Sequence, residues 1–332
     1  MRIFKLLVSM SAFLFASAGA AEQPAAVNPK DVTVAILMFD GVQMIDYAAP
    51  YEVFSQAGFK IFTVSKEGTQ VLVNHRVKTL VDHSFASAPA ANVVVVPGGH
   101  IDEAEKDAAT LDWIRKQAGP ADHVLSVCTG SFILAGTGLL DGKSATTFHR
   151  SLRDMRQQFP KVSVVNDQRW VDSGELVTAA GLASGIDAAL HVVAEIRGLN
   201  YARSIAMRLE YDWKPEQGFV RGKMADRNLR FPATFNIPPD TTVEELTSLG
   251  DTRTWELEYA VESNLTPEAF FAQVREDARK DPALTVDEKV GPRQVAWEYD
   301  AETGGRWRLT FDATDGPAPG RFAVTGKLAA VR

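Results

Sequence analysis

Four consecutive valines, Val93–Val96, end at Pro97-Gly98-Gly99. A short β-branched run closed by turn residues is a strand with no polar face. Such a strand has to be covered on both sides, which happens in parallel sheets flanked by helices. Residues 32–39 (Val-Thr-Val-Ala-Ile-Leu-Met-Phe) and 124–127 have the same texture, and 59–65 is a further strand. Helical spacing fills the intervals: 45–58, interrupted at Pro50 and stopped by Gly58, then 111–118, 130–140, 185–197 and 201–209. Residues 71–80 read as an excursion of strand-like segments, and 162–165 and 176–179 as short strands. Strands alternating with helices predict an α/β fold, a flavodoxin-like parallel sheet sandwiched by helices, over residues 31–222.

Beyond about Gly222 the texture changes. Phe231-Pro232 and Ile237-Pro238-Pro239-Asp240 break regular structure, so 223–250 reads as a linker. After it, apolar residues alternate: Trp255, Leu257, Tyr259 and Val261; Val295, Trp297 and Tyr299; Trp307, Leu309 and Phe311; Phe322, Val324 and Leu328. These are half-buried antiparallel strands. Thr303-Gly304-Gly305 reads as a hairpin turn. Thr266 as cap and Pro267 at the first position announce one helix, 267–279. Residues 251–332 are thus a small α+β domain whose aromatic stripes form its own core; a lid over the active site is the alternative.

The start of the chain reads as an address. Arg2 and Lys5 precede an apolar run, 6–18, and then small residues through Ala21. That is the order of a signal peptide over 1–20, followed by a linker over 21–30. The run is too short for a comfortable membrane span, so no stable membrane insertion is expected after cleavage. The expected location is periplasmic or secreted. The net charge is −7 with no basic block, which argues against a nucleic-acid partner.

An exported chain with a single cysteine has no internal disulfide. Cys128 is therefore a free thiol, either buried core or chemistry. It stands between the strand 124–127 and a helix of small residues, and a nucleophile at such a corner is pushed outward. Ser126 and Gly130 are the small neighbours that relieve the crowding; the usual pattern has glycine at both. In parallel sheets chemistry gathers beyond the carboxyl ends of the strands. Three loops converge there: the one after Phe39, the Gly98-Gly99 loop and the Cys128 turn. The glycine pair lets backbone amides come close to a ligand. His75, His83, His123 and His191 show no metal-ligand spacing, and His100 reads as a solvated loop residue. No metal and no cofactor are expected.

The region 31–220 resembles the ThiJ/PfpI superfamily, with its class I glutamine amidotransferase-like fold. The blocks that carry the likeness are Phe39-Asp40-Gly41-Val42-Gln43-Met44-Ile45-Asp46, Pro50-Tyr51-Glu52-Val53-Phe54, Val96-Pro97-Gly98-Gly99, Ser126-Val127-Cys128-Thr129-Gly130, Gly138-Leu139-Leu140-Asp141-Gly142-Lys143-Ser144-Ala145-Thr146-Thr147, Gly181-Leu182-Ala183-Ser184-Gly185-Ile186-Asp187 and Leu209-Glu210-Tyr211-Asp212. Within the superfamily the chain most resembles isonitrile hydratases and the amidotransferase-like sensor domains of AraC-type regulators. Nothing downstream matches the helix-turn-helix of those regulators.

The resemblance implies a homodimer acting on a small molecule, with Asp46 opposite Cys128. A thiol at a helix N-terminus has its thiolate favoured by the backbone amides. A carboxylate beside it shares the proton and has its own pKa raised. The alternative for Asp46 is a helix N-cap; Glu52 is a competing acid, read as solvated. Backbone amides near Gly98, Gly99 and Thr129 could hold developing negative charge. The likeness implies that Cys128 attacks an isonitrile carbon, Asp46 protonates it, and Thr129 positions the intermediate on the way to a formamide. His149 is a second candidate for the proton partner. A Cys–His pair would instead suggest a glyoxalase, deglycase or amidase. The third reading is a non-catalytic periplasmic module that senses a small molecule or oxidation of its thiol.

Overall fold

Val93–Val96 is a strand with all four side chains buried, and successive valines feed opposite cores. The computed structural model describes residues 31–215 and 219–331. The expected signal peptide and the linker over 21–30 lie outside them. The chain runs β1 (Thr33–Leu37), α1 (Met44–Gln56), β2 (Lys60–Ser65), β3 (Gln70–Val73), β4 (Val77–Leu80), β5 (His83–Ser84) and β6 (Val93–Val96). It continues through α2 (Ala108–Ala118), β7 (His123–Val127), α3 (Gly130–Gly136), β8 (Ser144–Ala145), α4 (Leu152–Gln158) and β9 (Ser163–Val164). Then come β10 (Trp170–Asp172), β11 (Leu176–Ala179), α5 (Ser184–Arg197) and α6 (Leu199–Arg208).

Seven strands form the central sheet in the order β10-β11-β7-β6-β1-β2-β5. Every pair is parallel except β10, an antiparallel edge on β11. Val34 and Ile36 of β1 face a core shared with α1, α5 and α6. Ala35 and Leu37 face the other core, filled from α2, α3 and α4. The chain enters at β1, builds outward through β2, and returns to the other side of β1 at β6. The order reverses there, and ligands bind at such switch points. The loop after β1 is stitched to the loop after β6 by the Val42–Gly99 bridge and by Gln43 N–H donating to Gly98 O at 2.8 Å.

Several elements differ from the reading of the sequence. The helix expected to be interrupted at Pro50 runs through it, with Pro50 buried beside Gly185. The excursion is an antiparallel β3–β4 hairpin outside the main sheet. The strand expected at 162–165 pairs only with β8. The helix after Cys128 stops at Gly136, four residues early, where Thr137 Oγ1 donates to Leu134 O at 2.5 Å.

The rest of the chain forms a second sheet. It contains β12 (Thr242–Gly250), β13 (Thr254–Glu262), β14 (Thr285–Val286), β15 (Gln294–Asp300), β16 (Arg306–Asp315) and β17 (Arg321–Ala330). One helix, α7 (Pro267–Lys280), lies against it, capped by Thr266. All pairings are antiparallel, in the order β12-β13-β17-β16-β15-β14. The alternating aromatics are the core of this sheet, with Trp297 fully buried. Gly304 and Gly305 make the β15–β16 turn, both with positive φ. The expected linker over 223–250 is corrected: its last nine residues are the edge strand β12. That strand carries no buried side chain and has a bulge between Glu245 and Thr247, so it lacks the alternation that marks its neighbours. The polar contacts lend no support to this half of the chain as a lid. Its polar contacts with the parallel-sheet half reach His149, Arg150, Arg153 and Arg156, and none reaches the Cys128 turn among the described residues.

Candidate active site

Cys128 leaves β7 with φ at +58°, a conformation that a non-glycine residue adopts only when its surroundings enforce it. The enforcement is visible. Cys128 N–H donates to Ala179 O at 3.0 Å. Its carbonyl accepts from Thr147 Oγ1 at 3.1 Å and from Ser131 Oγ at 3.0 Å. A Cβ on Gly130 would stand 2.1 Å from Val96 O, and one on Gly181 would stand 2.7 Å from Cys128 Cβ. Ser126 sits buried in the place where the usual pattern has glycine. Because Val96 O is backbone inside the sheet, Gly130→Ala should destabilise the fold by about 3 kcal/mol, read by urea unfolding. A neutral result would mean that the corner is looser than this packing allows.

Asp46 is fully buried in the first turn of α1. It is not the N-cap, which is Gln43. Its Oδ1 instead accepts from Leu182 N–H at 3.1 Å across the site. Burial raises its pKa to about 6, against the pull of the Leu182 amide, the Cys128 thiol and the Gly98 amide. Oδ2 is buried and makes no geometrically good hydrogen bond among the described residues. The carboxyl is therefore mostly ionised at neutral pH but within about one pH unit of its midpoint, with one oxygen uncommitted.

The expectation of a favoured thiolate is corrected. Burial pushes the Cys128 thiol up, the Asp46 charge pushes it further, and the Thr129 amide only partly offsets them. The resting pair holds its proton on sulfur, with the carboxylate as acceptor. The raised carboxyl pKa agrees with the expectation, but its main cause is desolvation rather than a neighbouring thiolate.

The other expected site residues separate. Thr129 Oγ1 accepts from Gly99 N–H at 3.0 Å and donates to Gly99 O at 3.1 Å, so it braces two loops. Gly99 N–H is thereby taken and is not an oxyanion donor. The Thr129 amide faces the sulfur, and the Gly98 amide faces the Asp46 carboxyl. A side chain at Gly98 would collide with Thr129 N and Oγ1, both 2.6 Å away, so glycine is required for the approach. Glu52 is exposed and bonds to Gln56, away from the thiol.

His149 is turned away from this group. Its Nε2 meets Arg221 Nη2 at 2.7 Å and lies 3.8 Å from Asp226 Oδ2. Burial and the Arg221 charge lower its pKa to about 4, so it is neutral at physiological pH. The intervening Phe148 packs on its ring, with centroids 4.3 Å apart. Sequence reasoning missed the corner at Gly181-Leu182. Leu182 has φ at +52° and aims its amide at Asp46. Its signal was available: β11 is the parallel neighbour of β7, so the turn that ends it opens beside the Cys128 turn. His100 is an exposed loop residue, as expected, and its ring lies tilted against the exposed His75 with centroids 4.5 Å apart. Among the described residues no three His, Cys, Asp or Glu side chains converge to hold a metal.

The chain belongs to the DJ-1/PfpI family, whose model matches residues 32–195. It is 36% identical over 180 residues to an isonitrile hydratase from Pseudomonas putida, covering 54% of this chain and 78% of that one. It is 26% identical over 192 residues to the HTH-type transcriptional regulator GbdR of Pseudomonas aeruginosa, covering 56% of this chain and 52% of the regulator. Among solved structures, a ThiJ/PfpI family protein from Pseudomonas syringae superposes with a TM-score of 0.52 at 30% identity. That match covers 61% of this chain and 85% of the other. The family model's match ends at residue 195, so the antiparallel half stands outside its span.

Proposed function

We propose that this member of the DJ-1/PfpI family is a cysteine-dependent lyase that hydrates isonitriles to N-substituted formamides. One observation carries the reading: a buried carboxyl with a pKa of about 6, Asp46, faces the thiol of a strained strand-to-helix corner. A general acid–base works best when its pKa lies near the working pH. The isonitrile hydratase relative supports the substrate class. Met44 and Ile45 beside Asp46, and Leu182 opposite, are partly exposed, and this apolar rim suits the organic substituent of an isonitrile.

In the proposed first step the thiol proton passes to the Asp46 carboxylate as sulfur attacks the terminal carbon. The carboxyl then delivers a proton to that carbon, giving a thioimidate, R–N=CH–S–Cys. The Thr129 amide stabilises charge on sulfur while it forms. In the second step water adds to the same carbon and Asp46 takes its proton. The C–S bond breaks with its electron pair returning to sulfur, protons return to sulfur and nitrogen, and R–NH–CHO leaves. One water is consumed and both side chains are restored. The test is the purified chain with alkyl and aryl isonitriles, following formamide; no turnover across the panel would sink the reading.

A Cys–His hydrolase draws no support from a neutral histidine held by Arg221. His149→Ala should accordingly leave formamide turnover per folded molecule unchanged, measured by the same assay; a large loss would restore the Cys–His pair. The second reading is a ligand-sensing module, favoured by the regulator relatives. Against a DNA-binding form of it, α7 is the only α-helix among the described residues beyond 215, so a helix-turn-helix has no second helix there. Sensing by thiol oxidation is also disfavoured, since a thiol held protonated by burial reacts slowly with peroxide. Small-molecule binding without turnover in a thermal-shift screen would select the sensor.

A further inference from the structure

Two adjoining cavities in the antiparallel half suggest a second site. The first, about 560 Å³, lies between α7 and the inner face of the sheet. That is within the range of small-molecule pockets. Val261, Val274, Val295 and Phe311 line it, and the exposed side chains of Phe231 and Ile237 stand at its rim. Asn236 is its only amide side chain, and the Trp297 indole N–H already donates to Arg230 O at 3.0 Å. An apolar occupant is what such walls stabilise, at roughly 25 cal/mol for each Å² removed from water.

The second cavity, about 350 Å³, lies where this half meets residues 149–156. Phe231 and Tyr259 stand in the walls of both, so the cavities are neighbours. Five arginines and five carboxylates, the exposed Asp154 among them, line the second one, and most of the arginines are answered. Arg150 pairs with Glu245, and Arg153 and Arg156 share Glu302. Arg230 reaches Asp281 at 3.5 Å. Asp226 is held by Arg221, and Asp300 lies 3.8 Å from Arg306. Arg227 is the exception. Its Nη1 donates to Gly222 O at 2.8 Å, but it has no carboxylate partner among the described residues, and its Nε is buried without an acceptor. The Nε of neighbouring Arg230 is buried without one as well. Buried N–H donors of a charged group call for an anionic oxygen, and the Nε edge of a guanidinium matches a carboxylate.

We propose that the antiparallel half binds a single-chain amphiphile with a carboxylate head. The apolar chain occupies the cavity between α7 and the sheet, and the carboxylate passes Phe231 and Tyr259 to reach Arg227. This site is separate from Cys128 and does not depend on the reaction proposed there.

The test titrates the full chain with an ω-brominated fatty acid, bromoundecanoate, below its micelle concentration while following tryptophan emission. Trp297 is the tryptophan in the cavity wall, so bromine on the bound chain should quench it, saturably, and the quench should vanish in Trp297→Phe. In competition, undecanoate should bind at least about tenfold more tightly than undecanol, the value of one charge-assisted hydrogen bond. Arg227→Gln should erase that preference and leave undecanol untouched. Val243→Trp, at the partly exposed lining, should weaken both. Calorimetric titration of undecanoate into the unaltered chain and into Arg227→Gln decides the matter should Trp297→Phe fail to fold. Absence of saturable binding overturns the proposal. So does equal binding of acid and alcohol, tighter binding of undecyltrimethylammonium, or a preference that survives Arg227→Gln.

Discussion

Cys128→Ala should lower isonitrile turnover by about 10⁴-fold or more while the protein keeps its fold, since loss of a nucleophile removes the covalent path rather than one contact. The substitution is well posed because it changes so little else. Residue 128 keeps its positive φ, and the bonds that enforce it come from the backbone of Ala179 and from Thr147 and Ser131. Alanine fits the same space, because it keeps the Cβ of residue 128 and removes only the sulfur. The Thr129 amide and the Asp46 carboxyl stay in place, so whatever rate survives reports what they do without sulfur. The measurement is formamide release by the variant beside an unfolding curve. A variant that folds and still turns over at near the original rate would show that water is activated directly by Asp46 and that the thiol is a bystander.

The corner itself was legible in the sequence, and physics says why. A strand buried on both faces cannot hide among polar residues, so β1, β6 and β7 announce themselves, and the residue that follows β7 must then make a turn. Asp46 was legible only through resemblance. As residue chemistry it looked equally like a cap, and what distinguishes it is the Leu182 amide, 136 residues away in sequence. The proton partner of Cys128 depended on where the Phe148-His149 pair points. That is decided by Arg221 and Asp226, which flank the boundary where the parallel-sheet reading gives way to linker. The edge strand β12 was illegible for a different reason: exposed on both faces, it gains its place through backbone pairing with β13, which leaves no hydrophobic period. The state of the thiol was misjudged because the sequence shows the helix that follows Cys128 but not the depth of burial. At this depth desolvation outweighs the amides.

Asp46→Asn should separate an acid–base from a structural carboxylate, because it moves three observables in different directions. Turnover should fall by roughly 10²- to 10⁴-fold, the usual worth of positioned proton transfer, since an amide can neither take the thiol proton nor return it to carbon. The thiol should become more reactive. The Asp46 charge is the second largest cause of its raised pKa, so removing it favours the thiolate, and alkylation by iodoacetamide at pH 8 should speed up. Stability should respond to pH with a definite sign. The folded pKa of about 6 lies above the unfolded value near 3.8, so between those limits the folded protein keeps a proton that the unfolded chain has lost. Stability of the wild type therefore falls as pH rises through that window, by about 2–3 kcal/mol from pH 4 to pH 8. The asparagine variant has nothing to titrate there. In urea unfolding its stability relative to the wild type should rise by that amount over the same range, whatever the fixed cost of burying an amide. The titrating groups other than the Cys128 thiol, which is protonated in the folded wild type across this range, are common to both proteins and cancel in the comparison. A variant whose turnover and alkylation rate fall together, with a gap in stability that ignores pH, would mean that Asp46 serves the Leu182 corner as a hydrogen-bond acceptor and moves no proton.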